Sequence, residues 1–313
     1  MNRLTRLIPL TLALLCFPVA SAWAQTATVT ATPGTCVNVN NPSGTVNWGT
    51  PVNAQTQDNT STTAGLSNSQ ITNYLQCSDY GFAVPAGATI NGITVTVRRS
   101  TNNTGGNPRD FSVQLLKSGT LQTTNKASTS TYPTTLTNVS YGATNDLWTS
   151  AWTPADINDP GFGVSFATQR DGGGGTRTIS VDVISVDVTY SDNTPPTVSS
   201  IALADASPTN GAATVSWTVT FSEAVTGVNA ADFTLVQAGG VSGASIATVT
   251  GSGATWTVTA NTGSGTGTLG LNLVDDDSVR DLANNRLGGT GTGNGNFTGA
   301  VYNVTAAPCN PPA

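Results

Sequence analysis

Alternation of apolar and polar residues runs through much of the chain. Ile93, Val95 and Val97 alternate with polar neighbours, and the same period of two recurs in residues 111–115 and 162–166. Successive side chains of a β-strand point to opposite faces, so this pattern predicts strands with one face turned towards a core. Segments rich in Gly, Asn, Asp and Pro separate these runs and predict turns.

The last apolar run of this half changes phase. Alternate apolar residues occupy 179–183 in one phase and 184–190 in the other. Because the side-chain period of a strand is two, such a slip predicts a β-bulge near Val183 or a strand that changes sheets. Together these patterns favour an all-β sandwich of jelly-roll type for the first half.

The second half is predicted to contain seven short strands within about 110 residues, a number and spacing that suit an immunoglobulin-like (Ig-like) sandwich. Trp217 and Trp256 are its core candidates, and it lacks inter-sheet cysteines. The predicted strands are 198–203, 213–221, 233–236, 245–250, 255–260, 267–273 and 300–304.

The boundary between the two halves is predicted at 192–197, where Pro195 and Pro196 follow one another. Consecutive prolines do not fit a central strand and stiffen a connector. The fold class is therefore all-β, with two β-sandwich domains, jelly-roll-like and then Ig-like. The predicted division is a signal peptide at 1–24, a first domain at 25–191, a linker at 192–197, an Ig-like domain at 198–305 and a tail at 306–313.

The N-terminus has the pattern of a secretory signal peptide. Arg3 and Arg6 precede an apolar stretch at 7–20, and residues 22–24 (Ala-Trp-Ala) are typical of signal peptidase cleavage sites. The apolar stretch is shorter than the roughly 20 residues that a membrane-spanning helix needs. We therefore expect cleavage after Ala24 and a secreted, extracellular or cell-surface protein without membrane insertion.

Composition excludes several functions. Charged residues make up 9% of the chain and His is absent, which removes His-dependent nucleophilic catalysis and His metal sites. Arg3 and Arg6 leave with the signal peptide, so nine basic residues remain against 17 acidic ones and the net charge becomes −8. An acidic chain is a poor partner for nucleic acid. We expect neither nucleic-acid binding nor enzymatic activity.

Three cysteines remain after export into an oxidising environment. Cys36 and Cys77 both lie in the predicted first domain and are natural disulfide partners. Cys309 is then left over, and it could stay free, pair between chains or pair with Cys36 instead.

An acidic cluster at 275–277, followed by Asp281, is the best candidate for chemistry. Adjacent carboxylates repel one another unless a positive charge lies among them, and Ca²⁺ prefers such oxygen ligands. The alternative is a solvated loop whose carboxylates point to water. The predicted ligands are Asp192, Asp205, Glu223, Asp275, Asp277 and Asp281.

A glycan site is predicted around Trp148 and Trp152. Exposed indole rings stack against sugars, and Asn145 and Asp146 would supply a polar rim. The alternative is that both rings fill the core, which is the commoner fate of aromatic residues in a sandwich.

Two other features are predicted to lack ligands. The pairs Arg98–Arg99 and Arg109–Asp110 suggest exposed cross-strand ion pairs. The glycine-rich runs at 171–175 and 288–295 are predicted to be flexible loops, because no Lys follows them and neither joins a strand to a helix.

The second half resembles the bacterial Ig-like repeats of large secreted and surface-attached adhesins. The resemblance covers 194–305 and rests on 194–198 (Thr-Pro-Pro-Thr-Val), 219–228 (Val-Thr-Phe-Ser-Glu-Ala-Val-Thr-Gly-Val) and 274–285 (Val-Asp-Asp-Asp-Ser-Val-Arg-Asp-Leu-Ala-Asn-Asn). It implies an extracellular structural or adhesive module rather than an enzyme.

The first half, through 80–95 and 145–158, is similar to an uncharacterised β-sandwich module of bacterial surface and phage-associated proteins. The leading interpretation is a surface or matrix protein whose partner is a surface glycan, a protein or another copy of itself. The alternative is a carbohydrate-binding first domain carried on an Ig-like stalk.

Overall fold

A computed structural model describes residues 25–306. The predicted signal peptide, with Cys16, and residues 307–313, with Cys309, lie outside the described residues. Within 25–306, no helix is long and apolar enough to cross a membrane.

Ten strands and one short helix form the first sandwich, and a 3₁₀ turn spans Pro51–Ala54. The strands are β1 (Gln25–Ala31), β2 (Thr35–Val39), β3 (Thr62–Leu66), β4 (Tyr74–Ser78), β5 (Thr89–Thr101), β6 (Arg109–Lys117), β7 (Thr120–Leu121), β8 (Thr137–Ala143), β9 (Gly163–Gln169) and β10 (Arg177–Asp192), and the helix is α1 (Pro154–Asn158).

The strand order of this domain is that of a jelly roll. One sheet runs β1-β10-β5-β8, with β3 also pairing with β10, and the other runs β2-β4-β9-β6-β7. Without the additional β2 and β3, the remaining eight strands form two four-stranded sheets in the orders β1-β10-β5-β8 and β4-β9-β6-β7, the arrangement of two Greek keys. The predicted jelly-roll sandwich is confirmed.

The predicted alternation accounts for the packing of the central strands. Ile93, Val95 and Val97 of β5 are fully buried, as are Val164 and Phe166 of β9. The predicted phase slip is a bulge, because the register of β10 against β5 shifts between Val181 and Val183. The predicted disulfide is also present: Cys36 and Cys77 face each other across β2 and β4 and are bonded.

Nine strands form the second half, with a 3₁₀ turn at Ala230–Asp232. They are β11 (Val198–Leu203), β12 (Thr214–Phe221), β13 (Val225–Thr226), β14 (Phe233–Gly239), β15 (Ser245–Ser252), β16 (Thr255–Asn261), β17 (Gly267–Leu273), β18 (Arg280–Asp281) and β19 (Phe297–Val304).

Two antiparallel sheets enclose the second core. One runs β11-β12-β16-β15 and the other β14-β17-β19, while β13 and β18 form a separate short pair. Trp217 is fully buried and its ring packs edge-on against Tyr302 at 5.0 Å. Trp256, the other predicted core residue, is only partly buried against this core.

One residue from each of the two predicted exposed pairs lies instead inside the first sandwich. Arg99 of β5 and Asp110 of β6 are each 2% exposed and form an ion pair at 3.2 Å. Tyr132 and Tyr141 donate their hydroxyls to Asp110, both at 2.7 Å. The prediction of surface pairs is wrong here because these hydrogen bonds make burial of both charges tolerable.

Candidate metal centre

Three carboxylates from different elements converge where the two sandwiches meet. Asp192 is the last residue of β10, Glu223 lies in the turn between β12 and β13, and Asp281 lies in β18. One carboxylate oxygen from each residue lies within 4.8 Å of the others. The last strand of the jelly roll therefore supplies one acid, and the Ig-like half supplies two. We call Asp192, Glu223 and Asp281 the junction cluster.

Hydrogen bonds from backbone and amide N–H groups hold Asp192 and Asp281 in place. The backbone N–H of Thr194 donates to Asp192 Oδ1 at 2.8 Å. The backbone N–H and the side-chain amide of Asn285 donate to the two oxygens of Asp281, both at 2.8 Å. The same amide donates to the carbonyl of Asp192 at 3.1 Å, so Asn285 ties the Ig-like loop to the end of β10.

Two buried oxygens of the junction cluster have no hydrogen-bond donor among the described residues. They are Asp192 Oδ2 and Glu223 Oε2, and both are buried. The ion pairs formed within residues 25–306 involve none of the three acids. A buried carboxylate oxygen without a donor or counter-charge is costly, so the cluster is electrostatically incomplete.

The effect of this crowding is visible in the ionisation of the cluster. Burial, followed by repulsion from Asp281 and Asp192, raises the pKa of Glu223 to about 7. Burial also raises the pKa of Asp281, against the lowering effect of its hydrogen bonds from Asn285. A cation among the three oxygens would reverse these shifts, because it favours the ionised forms.

The donor set suits a hard divalent cation. Carboxylate oxygens are the ligands that Ca²⁺ prefers, and Ca²⁺ tolerates irregular geometry with six to eight ligands, water included. The two orphaned oxygens, Asp192 Oδ2 and Glu223 Oε2, are the atoms that would gain most from it. The residues present therefore fit Ca²⁺, and Asp192, Glu223 and Asp281 would be its protein ligands.

Asp275 and Asp277 do not join the junction cluster. Asp275 accepts from the backbone N–H groups of Asp277 at 3.0 Å and Gly295 at 3.1 Å. Asp277 forms an ion pair with Arg286 at 2.8 Å. Their carboxylates fasten the glycine-rich loop at 288–295, so the prediction that they are metal ligands needs correction.

Asp205 also lies elsewhere. It follows β11, and its carboxylate accepts from the backbone N–H of Ser216 in β12 at 2.7 Å. Its own N–H donates to the hydroxyl of Tyr302 at 2.8 Å. Asp205 thus closes the β11–β12 connection and is not among the acids that converge.

The structure buries the rings of the predicted glycan site. Trp148 is 0% exposed and its indole N–H donates to the carbonyl of Ile93 at 2.8 Å. Trp152 is 7% exposed, donates to the carbonyl of Leu147 at 3.0 Å and packs edge-on against Phe162 at 5.5 Å. Because core carbonyls satisfy both indoles, neither ring is available as a platform for sugars, which corrects that prediction.

The polar residues beside these rings remain accessible. Asp146 forms an ion pair with Lys126 at 2.7 Å, and Asn145 is exposed. Asn145 lines an open groove of about 670 Å³ together with Asn91, Leu147 and Thr28. The residues that line this groove come from β1, β10, β5 and the loop after β8, so the groove crosses neighbouring strands of one sheet.

Tyr190 is the residue near the junction that sequence reasoning missed. It lies two residues before Asp192 on β10, so the period of two places both side chains on one face. That alternation was the available signal. Burial, then repulsion from Asp281, Asp192 and Glu223, raises the pKa of Tyr190 to about 12.

Fold and site together define an all-β protein of two sandwiches with an acidic junction between them. Residues 192–299 match the family model of the bacterial Ig-like domain, which confirms the resemblance predicted for the second half. Such domains are typical of surface and extracellular proteins, and the match supports that location. The matched segment contains all three acids of the junction cluster.

Similarity to whole proteins is weak. No curated protein matches the chain. A β-1,2-glucanase from Parabacteroides distasonis is 12% identical over 91% of this chain and 37% of its own, with a TM-score of 0.25. The glycoside hydrolase domain of Endo-D from Streptococcus pneumoniae R6 is 10% identical over 86% of this chain and 36% of its own, with a TM-score of 0.21. The chain spans little more than a third of either, and such scores support no conclusion about fold or activity.

Proposed function

We propose that the protein is an exported bacterial cell-surface or extracellular-matrix protein with a structural and adhesive role. In this proposal, Ca²⁺ bound by Asp192, Glu223 and Asp281 fixes the jelly roll against the Ig-like domain. The partner is a surface glycan, a protein or another copy of the chain. The role is contact and spacing, without catalysis.

The observation that carries the proposal is the junction cluster itself. Three acids from both sides of the junction lie within 4.8 Å, and two of their buried oxygens lack donors. Extracellular Ca²⁺ reaches the millimolar levels that weak extracellular sites use. A rigid junction would hold the jelly roll at a defined distance and angle from whatever carries the Ig-like domain.

Thermal unfolding with and without a chelator tests the calcium site. Ligand that binds only the folded state stabilises it by about 2.7 kcal/mol at 100 times its dissociation constant. We expect 10 mM Ca²⁺ to raise the unfolding midpoint by several degrees, and Asp281→Asn to remove most of that rise.

Asp276→Asn is the matched control, because Asp276 is an exposed acid five residues from Asp281 that caps its own turn. It should respond to Ca²⁺ like the unaltered protein. An unaltered protein whose midpoint is the same in chelator and in 10 mM Ca²⁺ would contradict the site.

A second candidate function, glycan binding by the jelly roll, is favoured by the groove lined by Asn91 and Asn145. Amide side chains beside an apolar wall are typical of sugar sites. A glycan array probed with the protein and with Asn145→Ala tests it: signals that the variant loses support the lectin function. No binding to any glycan would leave the structural role as the sole candidate.

A hydrolase screen tests the absence of catalysis. Turnover of a polysaccharide or peptide substrate that disappears when a single carboxylate is replaced by its amide would overturn this part of the proposal.

A further inference from the structure

Both sheets of the Ig-like sandwich end in an open strand on the same side of the domain. β14 is the outer strand of one sheet and β15 of the other, while the opposite side is occupied, since β11 contacts β19 and the loop at 207–211 bonds to β19. Within residues 25–306, the backbone of 233–239 bonds to no strand other than β17. An open strand presents N–H and C=O groups that can pair with a further strand.

β14 lacks the features that usually keep an edge strand from pairing. Natural edges are blunted by charged side chains, Pro or β-bulges. Residues 233–274 contain neither a charged residue nor a Pro. β15 has a register shift between Ile246 and Thr248, whereas β14 keeps a regular register with β17 over all seven of its residues. β14 is therefore the regular, uncharged open edge of this domain.

The direction of each backbone group of β14 follows from the hydrogen bonds at its two ends. The N–H of Val274 donates to the carbonyl of Asp232 at 2.8 Å. The N–H of Gly240 donates to the carbonyl of Thr266 at 2.7 Å. Because bonding alternates along an antiparallel pair, the even-numbered residues of β14 turn their backbone groups to β17 and the odd-numbered ones turn theirs outward.

We infer that β14 pairs in antiparallel fashion with β14 of a second copy of the chain, centred on Val236. Val236 is the midpoint of 233–239, so in this register the whole strand pairs with itself. Leu235 of each copy then exchanges both outward backbone bonds with Gln237 of the other. The two Val236 side chains lie opposite each other in a close pair of the kind that stabilises sheets.

This inference rests on the adhesive role proposed above and names its partner as another copy of the chain. Charge favours such a partner at this edge, because the acidic residues of the chain lie outside 233–274 and two β14 strands meet without opposed like charges. One paired strand is a small interface beside the roughly 1,600 Å² of a stable complex. The pairing is therefore weak in dilute solution and effective where many copies are held close together.

Sedimentation of the mature chain at rising concentration tests the pairing. All chains carry Cys309→Ser, so that no disulfide through Cys309 imitates it. Chelator is present throughout, so that the outcome does not depend on the Ca²⁺ site. We expect the sedimentation coefficient to rise between about 10 μM and about 1 mM, the range of weak association. Amide exchange at Leu235 and Gln237 should slow about twofold where half of the chains are paired.

Val236→Lys should abolish both effects, because it opposes two ammonium groups across the paired strands. Val301→Lys is the matched control. Val301 pairs with the same Gly270 from the other side, so it lies on the same face of the sheet as Val236, and the two are 52% and 46% exposed. Val301 is on β19, two strands from the β14 edge, so its variant should associate like the unaltered protein.

Gln237→Pro is a second variant in case Val236→Lys does not fold. It removes an outward donor and no bond to β17, as Pro on an edge strand does, and it should also abolish association.

The results that would overturn the inference differ from those that bear on the proposed function. Sedimentation and exchange that do not change with concentration overturn it, while the Ca²⁺ titration and the glycan array still decide the proposed function. Equal loss of association in Val236→Lys and Val301→Lys would assign the contact to the sheet face and overturn pairing through the edge. Association that persists in both Val236→Lys and Gln237→Pro would also overturn it.

Discussion

At the scale of single residues, buried charge is where the structure departs most from the pattern of the sequence. Arg99 and Asp110 lie between the two sheets of the jelly roll, with the Arg99 guanidinium 3.9 Å from the centre of the Tyr132 ring. Adjacent arginines on a strand ordinarily indicate a solvated face. Which of them turns inward depends on partners 11 to 42 residues away, and no local pattern encodes these.

Replacing Asp110 by Asn should destabilise the jelly roll by about 3 kcal/mol or more, because it leaves Arg99 buried without a counter-charge. The measurement is urea-induced unfolding. Asp187→Asn serves as the control, since Asp187 is half-buried on β10 and accepts from the hydroxyl of Thr30 without a counter-charge among residues 25–306. Equal stability of the two variants would show that the Arg99 pair contributes nothing specific.

Glu223 makes the metal-free protein sensitive to pH. Its pKa rises from an ordinary 4.5 to about 7 on folding, through burial and the charges of Asp281 and Asp192, with Tyr190 neutral beside them. Between these pKa values the folded state holds a proton that the unfolded state has lost, so the contribution of Glu223 to stability is greatest below about pH 4.5 and is lost as pH rises through 7. Burial also raises the pKa of Asp281, so its contribution to stability falls with rising pH in the same way.

We expect the unfolding free energy in chelator to be lower at pH 7.5 than at pH 5, and Glu223→Gln to flatten that decline. Urea titrations at the two pH values provide the measurement. A variant that keeps the full decline would assign it to other groups.

At the scale of elements, periodicity was informative wherever one face of a strand is buried. It predicted a bulge or a change of sheet near Val183 in β10, where a bulge is found, and it placed β11 and β17 at their observed bounds. Periodicity does not predict the contacts of loops. Their composition indicates how freely the backbone can bend, but not which residues lie around it. The glycine-rich loop at 171–175 shows the difference, because it closes around the guanidinium of Arg170.

Arg170 is 1% exposed and donates to the carbonyls of Leu66, Gly173, Gly174 and Gly175. Replacing it by Met keeps the apolar stem and removes these bonds, each worth about 1 kcal/mol. We therefore expect faster hydrogen exchange at 171–175 and a loss of about 2 kcal/mol or more in unfolding free energy. Arg177→Met, which removes a half-exposed arginine bonded to the carbonyl of Gly105, should leave exchange at 171–175 slow.

At the scale of the whole molecule, sequence reasoning predicted two sandwiches and the three acids of the junction cluster. It also included Asp205, Asp275 and Asp277, because adjacency in a loop cannot show whether carboxylates turn towards one another or towards backbone N–H groups. In the structure, Asp192, Glu223 and Asp281 turn towards one another, whereas Asp205 and Asp275 accept from backbone N–H groups. Ala283 of the Ig-like half even packs into the first hydrophobic core, a contact that no period of two predicts.

The segment between the sandwiches is bound along its length. Pro196 is buried, and its carbonyl accepts from the N–H of Gly288 at 2.9 Å. Thr197 and Ser222 exchange two hydrogen bonds, at 2.8 and 2.9 Å. Asn193, Thr194 and Thr197 are exposed, but a protease also needs a backbone that can leave its hydrogen bonds, and these bonds hold the segment while the sandwiches are docked.

The consequence is durability outside the cell. In limited proteolysis with a broad-specificity protease, we expect the loop whose exposed residues are 102–104 to be cut before 193–197, although the composition of 193–197 marks it as the natural weak point. Early release of two separate sandwiches would contradict this. A connector that resists digestion lets the jelly roll remain attached to its Ig-like support for as long as both domains stay folded.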